Sequence, residues 1–285
     1  LKAEAGHTGN YGLYDQMTAI KWVKDNIEAF GGDSQNITIM GQSAGGASVQ
    51  VLSCSPLTKG LFQKAVMSSG CGLGGLMTGS QEKSSAFWQQ VMERCGCKTL
   101  DEFRALPPEK LFSEWQTAKK EIKGGNAATF PTKDGHFMVE DAVPHNIPYM
   151  AGSTSEDVAP PILQNMTKKW ITNRQIPSYT WYFDRQLPGD NNGAWHSADL
   201  WYWFGTLPNC WRPMTEKDYD LSKQMVNYLC NFAKSGNPNN DDLPNWLPSQ
   251  EQKKVLILGE KPTQMAKPNI FKMIFTMLTN KAVGE

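Results

Sequence analysis

One serine in the sequence stands in a setting that could make it a nucleophile. Ser43 lies in the segment Gly41-Gln-Ser-Ala-Gly45, which fits the Gly-x-Ser-x-Gly pattern of a nucleophile elbow. In such an elbow the serine occupies a strained strand-to-helix turn, where small residues at both flanking positions avoid collisions with neighbouring backbone. The Ala44 N–H, at the start of the helix, is then expected to face the oxygen that becomes negative when a carbonyl is attacked. The alternative is a glycine-rich turn without chemistry.

A serine hydroxyl needs a general base, and four histidines compete for that role: His7, His136, His145 and His196. The first precedes Ser43, whereas the base follows the nucleophile and the acid along the chain in this type of fold. The second stands in a turn signal that predicts an exposed imidazole, and the third stands at the approach to a predicted strand. His196, in a loop late in the chain, is therefore the predicted base, with a structural histidine as the alternative.

The carboxylate that orients the histidine is expected in a loop after a predicted strand that ends at Gly152. Glu156 and Asp157, in the loop segment Gly152-Ser-Thr-Ser-Glu-Asp157, are both candidates. The chain order of nucleophile, acid and histidine favours this loop. A solvated loop carboxylate without a catalytic role is the alternative.

The elements that must position these residues alternate between helix and strand. Apolar residues at intervals of three and four predict an amphipathic helix over 14–30, and small apolar residues predict a second helix over 43–52. Apolar and β-branched runs predict strands over 36–41, 64–69, 147–152 and 178–183. The alternation predicts an α/β fold with a mostly parallel sheet and flanking helices.

The composition argues against several classes of partner. The chain has 28 Lys+Arg against 28 Asp+Glu among its 285 residues, so no overall basic field favours nucleic acid or a membrane surface. The apolar segment Ile270 to Leu278 carries Lys272 and is too short to span a bilayer, so it predicts a terminal amphipathic helix. No metal or redox site is expected at Cys95-Gly-Cys97, because the spacing is too short for a CxxC motif and no histidine lies nearby. The six cysteines are expected to be mostly buried thiols.

Segments spread over most of the chain carry a family resemblance. They are Asn10-Tyr-Gly-Leu-Tyr-Asp-Gln16, Phe30-Gly-Gly-Asp-Ser-Gln-Asn-Ile-Thr-Ile-Met-Gly-Gln-Ser-Ala-Gly-Gly46, Ala65-Val-Met-Ser-Ser-Gly70, Gly193-Ala-Trp-His-Ser-Ala-Asp-Leu200 and Phe232-Ala-Lys-Ser-Gly-Asn-Pro-Asn239. In these segments the chain resembles the type-B carboxylesterases and cholinesterase-like proteins. The resemblance implies an α/β-hydrolase fold, one domain over 1–285, and a serine esterase that works without a cofactor.

The resemblance also implies a role for each candidate residue by its position. Ser43 corresponds to the nucleophile, His196 to the general base and Asp157 to the orienting acid. Most members of the family have Glu at the acid position, so Glu156 remains the alternative acid.

Further residues are expected around this triad. Gln42 stands where the family usually has Glu, which removes a charge without removing a triad member. Ser69 matches a serine near the triad, either as a support for it or as a structural hydroxyl. The aromatic side chains of Trp195, Trp201 and Trp203 could line an apolar pocket, or they could fill the core.

Three features depart from the family pattern. Only 42 residues precede Ser43, and they contain no His-Gly-Gly or Gly-Gly-Gly-Phe segment of the kind that forms the family's oxyanion loop. An N-terminal segment or a companion chain is therefore expected to complete the sheet. Asp157 and His196 are only 39 residues apart, which predicts reduced helical lid insertions and an open site. Ala105 stands where secreted members have a cysteine, and no signal peptide is readable, so a cytoplasmic location is expected, with secretion as the alternative.

Two non-catalytic interpretations compete with an esterase. Some relatives with this fold serve as binding or adhesion modules, but these typically lose the nucleophile, whereas Ser43 is present. An inactive fragment is the other interpretation. The sequence therefore predicts a carboxylesterase that hydrolyses small or medium, apolar or aryl esters through an acyl-enzyme, with the ester as its small-molecule partner.

Overall fold

The computed structural model describes residues 9–75, 78–251 and 254–283, so His7 lies outside the described residues. The helices in these ranges are α1 (Tyr11–Asn26), α2 (Ala44–Leu52), α3 (Gln81–Arg94), α4 (Leu100–Arg104), α5 (Pro108–Glu121), α6 (Pro160–Thr172), α7 (Leu200–Trp203), α8 (Glu216–Ser235) and α9 (Ile270–Val283). The strands are β1 (Thr38–Gln42), β2 (Lys64–Ser68), β3 (Tyr149–Thr154), β4 (Tyr179–Phe183), β5 (Val255–Leu258) and β6 (Gln264–Ala266).

The described residues divide into two compact units. The first comprises residues 9–19, 54–58 and 75–144, and the second comprises 20–53, 59–74 and 145–283. The whole sheet and every residue of the predicted site belong to the second unit. The expectation of a single domain over 1–285 with reduced lid insertions stays a prediction.

The first unit contains three helices, α3, α4 and α5, around a small core that includes Phe87, Val91 and Ala118. Their starts follow from sequence: the Thr99 side chain accepts a hydrogen bond from the Glu102 N–H in a capping box at α4, and α5 begins with Pro108. A cavity of ≈ 530 Å³ in this unit has an apolar lining without serine, cysteine or histidine, so it offers no nucleophile.

The second unit is built on a six-stranded sheet in the order β1-β2-β3-β4-β5-β6. Strands β1 to β5 run parallel and β6 is antiparallel to β5, which confirms the predicted mostly parallel sheet. The four predicted strands are present as β1 to β4. Strands β5 and β6 were not predicted, because their runs of four and three residues are too short to distinguish from loop by pattern.

The register of the sheet sets up the site. Gln42 pairs with Ser68, and Ser68 pairs with Gly152, so the carboxyl ends of β1, β2 and β3 lie side by side. Parallel strands end at the same edge of a sheet, and the loops that follow them therefore meet there. The chain segments after β1, β2 and β3 begin with Ser43, Ser69 and the acid loop, respectively.

The core of the second unit rests on aromatic side chains. Strands β2 to β5 are buried along their whole length, whereas the residues of β1 are only partly buried. Trp181 on β4 packs against Trp203 with 5.0 Å between ring centroids, and Trp246 lies against Trp181 at 6.5 Å. Burial of such large rings supplies much of the hydrophobic free energy that holds the sheet to its helices.

Predicted helices are present with shifted boundaries. The first begins at Tyr11 and ends at Asn26, and a 3₁₀ turn over Ile27–Phe30 continues it to Gly31, whose φ of 81° stops the helix. The terminal helix predicted over 270–278 is α9, which anchors Met273 in the core. Within the described ranges, no helix has the length and apolar character needed to cross a bilayer.

The cysteines follow the prediction only in part. Cys71, Cys95 and Cys97 are buried, whereas Cys230 is exposed on α8. The exposed position reflects the outer face of that helix, which a residue count cannot identify.

Candidate active site

Ser43 stands at the junction between β1 and α2. Its backbone has φ 56° and ψ −124°, a left-handed conformation that a non-glycine residue rarely adopts. The Ser43 N–H donates to the Ser68 carbonyl oxygen at 2.9 Å, and the Ser43 carbonyl oxygen accepts from the Ala47 N–H at 3.0 Å. These bonds to β2 and to α2 hold the strained residue, as a nucleophile elbow requires.

Close backbone packing explains one of the two flanking glycines. A Cβ added at Gly41 would lie 2.2 Å from the Gly45 carbonyl oxygen, so no side chain fits at that position. A Cβ added at Gly45 would meet no described atom within 4 Å. The prediction that a side chain here would collide with neighbouring backbone was therefore wrong for the described residues. Close contact instead falls one residue later, because a Cβ at Gly46 would lie 2.9 Å from the Ser68 carbonyl oxygen.

Ser43, His196 and Asp157 form a continuous hydrogen-bonded chain. The Ser43 Oγ lies 2.7 Å from His196 Nε2, and His196 Nδ1 lies 2.6 Å from Asp157 Oδ1. An ionised carboxylate can only accept, so Nδ1 carries the hydrogen that it donates to Asp157. In the neutral ring, Nε2 is then the acceptor that faces the serine hydroxyl. The Asp157 side chain is fully buried, whereas the His196 side chain is 32% exposed.

The carboxylate of Asp157 is held on both oxygens. Oδ2 accepts from the Ser69 hydroxyl at 2.5 Å and from the Thr154 N–H at 3.2 Å, while Oδ1 also accepts from the Val158 N–H at 2.8 Å. Ser69 thus contacts the candidate acid directly, which corresponds to the supporting role considered for it. Like Ser43, Ser69 has a positive φ, of 50°, which a non-glycine residue rarely adopts.

Glu156, the alternative acid, does not contact the ring of His196 among the hydrogen bonds described. Its backbone bridges to Trp195, and its Oε2 accepts from the Ala194 N–H at 2.8 Å. Of the two neighbouring carboxylates, one is therefore held by the backbone of the histidine loop and the other contacts the histidine ring. The carboxylate in contact with the ring is that of Asp157.

Gln42 and Ala44 flank the nucleophile. The Nε2 of Gln42 lies 3.2 Å from Nε2 of His196, so the amide at this position contacts the candidate base. Ala44 is exposed and is the first residue of α2, where its N–H is among those without an intrahelical acceptor. An exposed N–H beside Ser43, at the positive end of a helix, is suited to bind a developing negative charge.

Asp199 is a second buried carboxylate near His196, and it was not among the residues predicted for the site. It is fully buried, and its Oδ2 accepts from the Ser68 hydroxyl at 2.9 Å and from Trp203 Nε1 at 3.1 Å. Its Oδ1 is buried without a partner among the described residues. The only signal in the sequence is its place three residues after the histidine in Gly193-Ala-Trp-His-Ser-Ala-Asp-Leu200, directly before an aromatic run.

Two pKa values in the site are displaced. The hydrogen bond to Asp157 raises the pKa of His196 above its ordinary value of 6.5, burial opposes this, and the charges of Asp157 and Asp199 add to the increase. Burial raises the pKa of Asp199 to about 6, against the hydrogen bonds from Ser68 and Trp203, with repulsion from Asp157 in the same direction as burial.

The three tryptophans proposed for a pocket have different environments. Trp203 is 1% exposed and fills the core, which was one of the two possibilities considered for it: its ring packs on Trp181 and its Nε1–H donates to Asp199. Trp195 and Trp201 are partly buried, and their rings meet edge to face at 6.0 Å. For these two residues a role in substrate binding stays a prediction.

No cluster of three or more His, Cys, Asp or Glu side chains suited to hold a metal ion was found where the structure describes the chain. Among the described residues, Gln42, Ser69 and Asp157 make side-chain hydrogen bonds within the site, whereas Oδ1 of Asp199 and Oγ1 of Thr154 are buried without a partner.

The family profile described as "Carboxylesterase family" matches residues 2–175 and 161–273. The chain belongs to the carboxylesterase family. This carboxylesterase-family chain is 29% identical over 319 residues to para-nitrobenzyl esterase of Bacillus subtilis (strain 168), covering 90% of its own length and 65% of that relative. It is 37% identical over 164 residues to bile salt-activated lipase of Bos taurus, covering 52% of its own length and 27% of that relative. The chain thus spans less than two thirds of these relatives.

Solved structures of esterases have the same fold. An esterase from Clostridium hathewayi that can hydrolyze aliphatic aromatic polyesters matches 96% of this chain and 67% of its own, with a TM-score of 0.78 and 22% identity. A structure of PNB esterase matches 97% of this chain and 70% of its own, with a TM-score of 0.75 and 24% identity. These likenesses confirm the α/β-hydrolase fold predicted for this carboxylesterase-family chain.

Proposed function

We propose that this chain carries the serine nucleophile, base and acid of a carboxylic ester hydrolase. The observation that carries the proposal is the hydrogen-bonded chain from Ser43 through His196 to buried Asp157, with distances of 2.7 and 2.6 Å. Membership of the carboxylesterase family and likeness to para-nitrobenzyl esterase support the same activity.

The proposed reaction is acyl transfer in two steps. His196 Nε2 takes the Ser43 proton as Oγ attacks the ester carbonyl carbon, and the carbonyl electron pair moves to oxygen. The imidazolium, held by Asp157, then protonates the alkoxide as the C–O bond breaks and the alcohol leaves. Water repeats the sequence on the acyl-enzyme, releasing the carboxylic acid and regenerating Ser43. The base must be neutral at the start of each step, so its raised pKa sets the lower pH limit of activity.

The oxyanion of the tetrahedral intermediate needs more than one donor. The Ala44 N–H is the donor we assign from this chain, because it begins α2 beside Ser43. We assign the remaining donors to a further segment that adds beside β1, either N-terminal to these residues or in a companion chain. No described strand pairs with the outer edge of β1, and its five residues are only partly buried.

Exposed apolar side chains in the segment that precedes β1 in the chain support such an addition. Trp22 is 56% exposed and Phe30 is 73% exposed, on the helical segment that leads to β1. Exposed rings of this size are typical of a surface that another element covers. Mixing the chain with a family-like N-terminal segment is expected to increase ester turnover and protect the β1 amides from hydrogen exchange, and no change in either would contradict this assignment.

The proposed substrates are small or medium carboxylic esters with apolar or aryl groups. Trp195, which directly precedes His196, and Trp201, whose ring meets that of Trp195, are partly buried and provide apolar surface for such groups. The para-nitrobenzyl group named for one relative and the aliphatic aromatic polyesters named for one structural neighbour support the aromatic part of this class. The other expectations, namely no nucleic-acid or membrane partner, no cofactor, and a cytoplasmic location, stay predictions.

Hydrolysis of p-nitrophenyl acetate and p-nitrophenyl butyrate tests the proposal. We expect turnover by the wild type that Ser43→Ala removes. Ser48→Ala is the matched control, because the Ser48 hydroxyl only donates to the Ala44 carbonyl oxygen on the same helix. Turnover that survives Ser43→Ala would contradict the proposal. Absence of turnover in the wild type, with or without the added segment, would favour a non-catalytic binding module or an inactive fragment.

A further inference from the structure

We propose that Glu156 is a positioning residue that clamps the acid loop to the histidine loop and ties both to the C-terminal helix α9. The proposal rests on the function proposed above for its kinetic consequence. The clamp itself is argued from the contacts of the Glu156 carboxylate and the Glu156 N–H. A role of Glu156 as the alternative acid would not explain these contacts.

Glu156 and the histidine loop exchange two hydrogen bonds. The Glu156 N–H donates to the Ala194 carbonyl oxygen at 3.0 Å, and the Ala194 N–H donates to Glu156 Oε2 at 2.8 Å. The Ser155 hydroxyl also donates to Oε2. Ala194 lies two residues before His196, and Glu156 lies directly before Asp157. The hydrogen bonds between Glu156 and Ala194 therefore form within two residues of Asp157 and His196, which must contact each other.

The histidine loop is shaped to admit the carboxylate. Gly193 has φ 70°, and a Cβ added there would lie 2.6 Å from Cδ and 2.8 Å from Oε2 of Glu156. Any side chain at this position would therefore push the carboxylate away from the Ala194 N–H. The glycine and the glutamate fit together as a pair.

The second carboxylate oxygen of Glu156 reaches α9. Lys272 Nζ lies 3.1 Å from Oε1, with side-chain exposures of 44% for Lys272 and 16% for Glu156. A pair this exposed adds little to stability, so we assign it the role of fixing the direction of the carboxylate. The next residue, Met273, is 2% exposed and packs in a cluster with Tyr182 and Val255, while α9 as a whole packs on α6. Lys272 is thus presented from an anchored helix.

The expected consequence is a change at the histidine ring. The His196–Asp157 hydrogen bond is the largest cause of the raised pKa of His196, and Asp157 and Asp199 are the charges that act on the ring. If the clamp is lost, that bond lengthens and the pKa of His196 falls. Misplacement of a catalytic group by about 1 Å can cost on the order of 10²-fold in rate.

An NMR titration of ¹⁵N-labelled histidine measures the pKa of His196 directly, with the signal assigned by its loss in His196→Asn. We expect Glu156→Ala to lower this pKa clearly and to reduce kcat/KM for p-nitrophenyl acetate by about 10- to 100-fold. Glu156→Gln keeps an oxygen that can accept from the Ala194 N–H, so its effect is expected to be much smaller. Lys272→Met should fall between the two. Glu140→Ala, which breaks an exposed ion pair with Lys133, is the control and should change neither quantity.

The variants separate positioning from charge and from folding. Equal effects of Glu156→Gln and Glu156→Ala would overturn the proposal, because the lost charge alone would then explain the titration. An unchanged titration in Glu156→Ala would overturn it as well. If Glu156→Ala does not fold, Gly193→Ala provides the test, and an unaltered pKa of His196 in that variant is the overturning result. The NMR titration measures the pKa of His196 whether or not the protein hydrolyses esters. A wild type without turnover would therefore contradict the proposed function and not the clamp.

Discussion

The Nε2 atom of Gln42 lies 3.2 Å from Nε2 of His196. A carboxylate at this distance attracts a protonated ring and therefore raises its pKa, whereas a neutral amide does not. Gln42→Glu is expected to raise the pKa of His196 and to move the acid limb of kcat/KM upward by about one pH unit. The pH profile for p-nitrophenyl acetate hydrolysis measures this shift. An acid limb that stays in place in Gln42→Glu would mean that this side chain does not act on the base.

Asp157→Asn is expected to act on the same limb in the opposite direction. Loss of the hydrogen bond to a carboxylate lowers the pKa of His196, because that bond is the largest cause of its increase. The amide also permits the wrong tautomer, so kcat should fall on the order of 10⁴-fold. Steady-state kinetics between pH 5 and 9 measure both effects. Asp220→Asn, an exposed carboxylate on α8, is the control, and comparable losses in the two variants would contradict the assignment of the acid.

Asp199 is expected to make stability depend on pH. Its folded pKa of about 6 lies above its ordinary value of 3.8, so its contribution to stability is fully present below pH 3.8 and is lost as pH rises through about 6. The loss amounts to about 2 to 3 kcal/mol. Asp199→Asn should remove this part of the pH dependence. Urea unfolding of both proteins between pH 4 and 8 measures it, and parallel curves would contradict the prediction.

Arg185 and Asp218 form an ion pair that is expected to be structural. Asp218 is fully buried, Arg185 Nε lies 2.7 Å from it, and Thr215 and Tyr202 also donate to it. Burial raises the pKa of Asp218, but these hydrogen bonds outweigh burial and hold it well below its ordinary value. Its contribution to stability is therefore present above pH 3.8 and lost as pH falls below that value.

Arg185→Met should consequently destabilise the protein by about 3 to 5 kcal/mol, because it leaves a buried charge without its partner. Arg104→Ala is the matched control, since its pair with Asp101 is exposed and should change the free energy of unfolding by less than about 1 kcal/mol. Urea midpoints at pH 7 compare the variants. Equal losses would show that burial does not set the strength of these pairs.

Local pattern was enough to predict the elbow and its strands. The glycine spacing and a β-branched run predict the position of Ser43 between β1 and α2. Because β1, β2 and β3 run parallel, the loops that follow them lie at the same edge of the sheet. The choice between Glu156 and Asp157 could not be made from residue type, because both are carboxylates and only the bridge at Trp195 fixes which side each one faces.

Burial was the property that the sequence could not supply. Asp199 is fully buried and Trp203 almost fully buried, and a hydrogen bond joins their side chains. By pattern, an Asp before a short aromatic run and a Trp within that run are ordinary surface or pocket residues. The wrong prediction of crowding at Gly45 has the same cause, because crowding depends on neighbouring residues that the motif does not specify.

Covalent labelling with a fluorophosphonate tests most directly whether Ser43 is a nucleophile that His196 activates. We expect one adduct per chain, located on Ser43 by peptide mapping, absent in Ser43→Ala, and formed at a rate that rises with pH as His196 loses its proton. An adduct on a different serine, or labelling of Ser43 at the same rate in His196→Asn, would contradict the account.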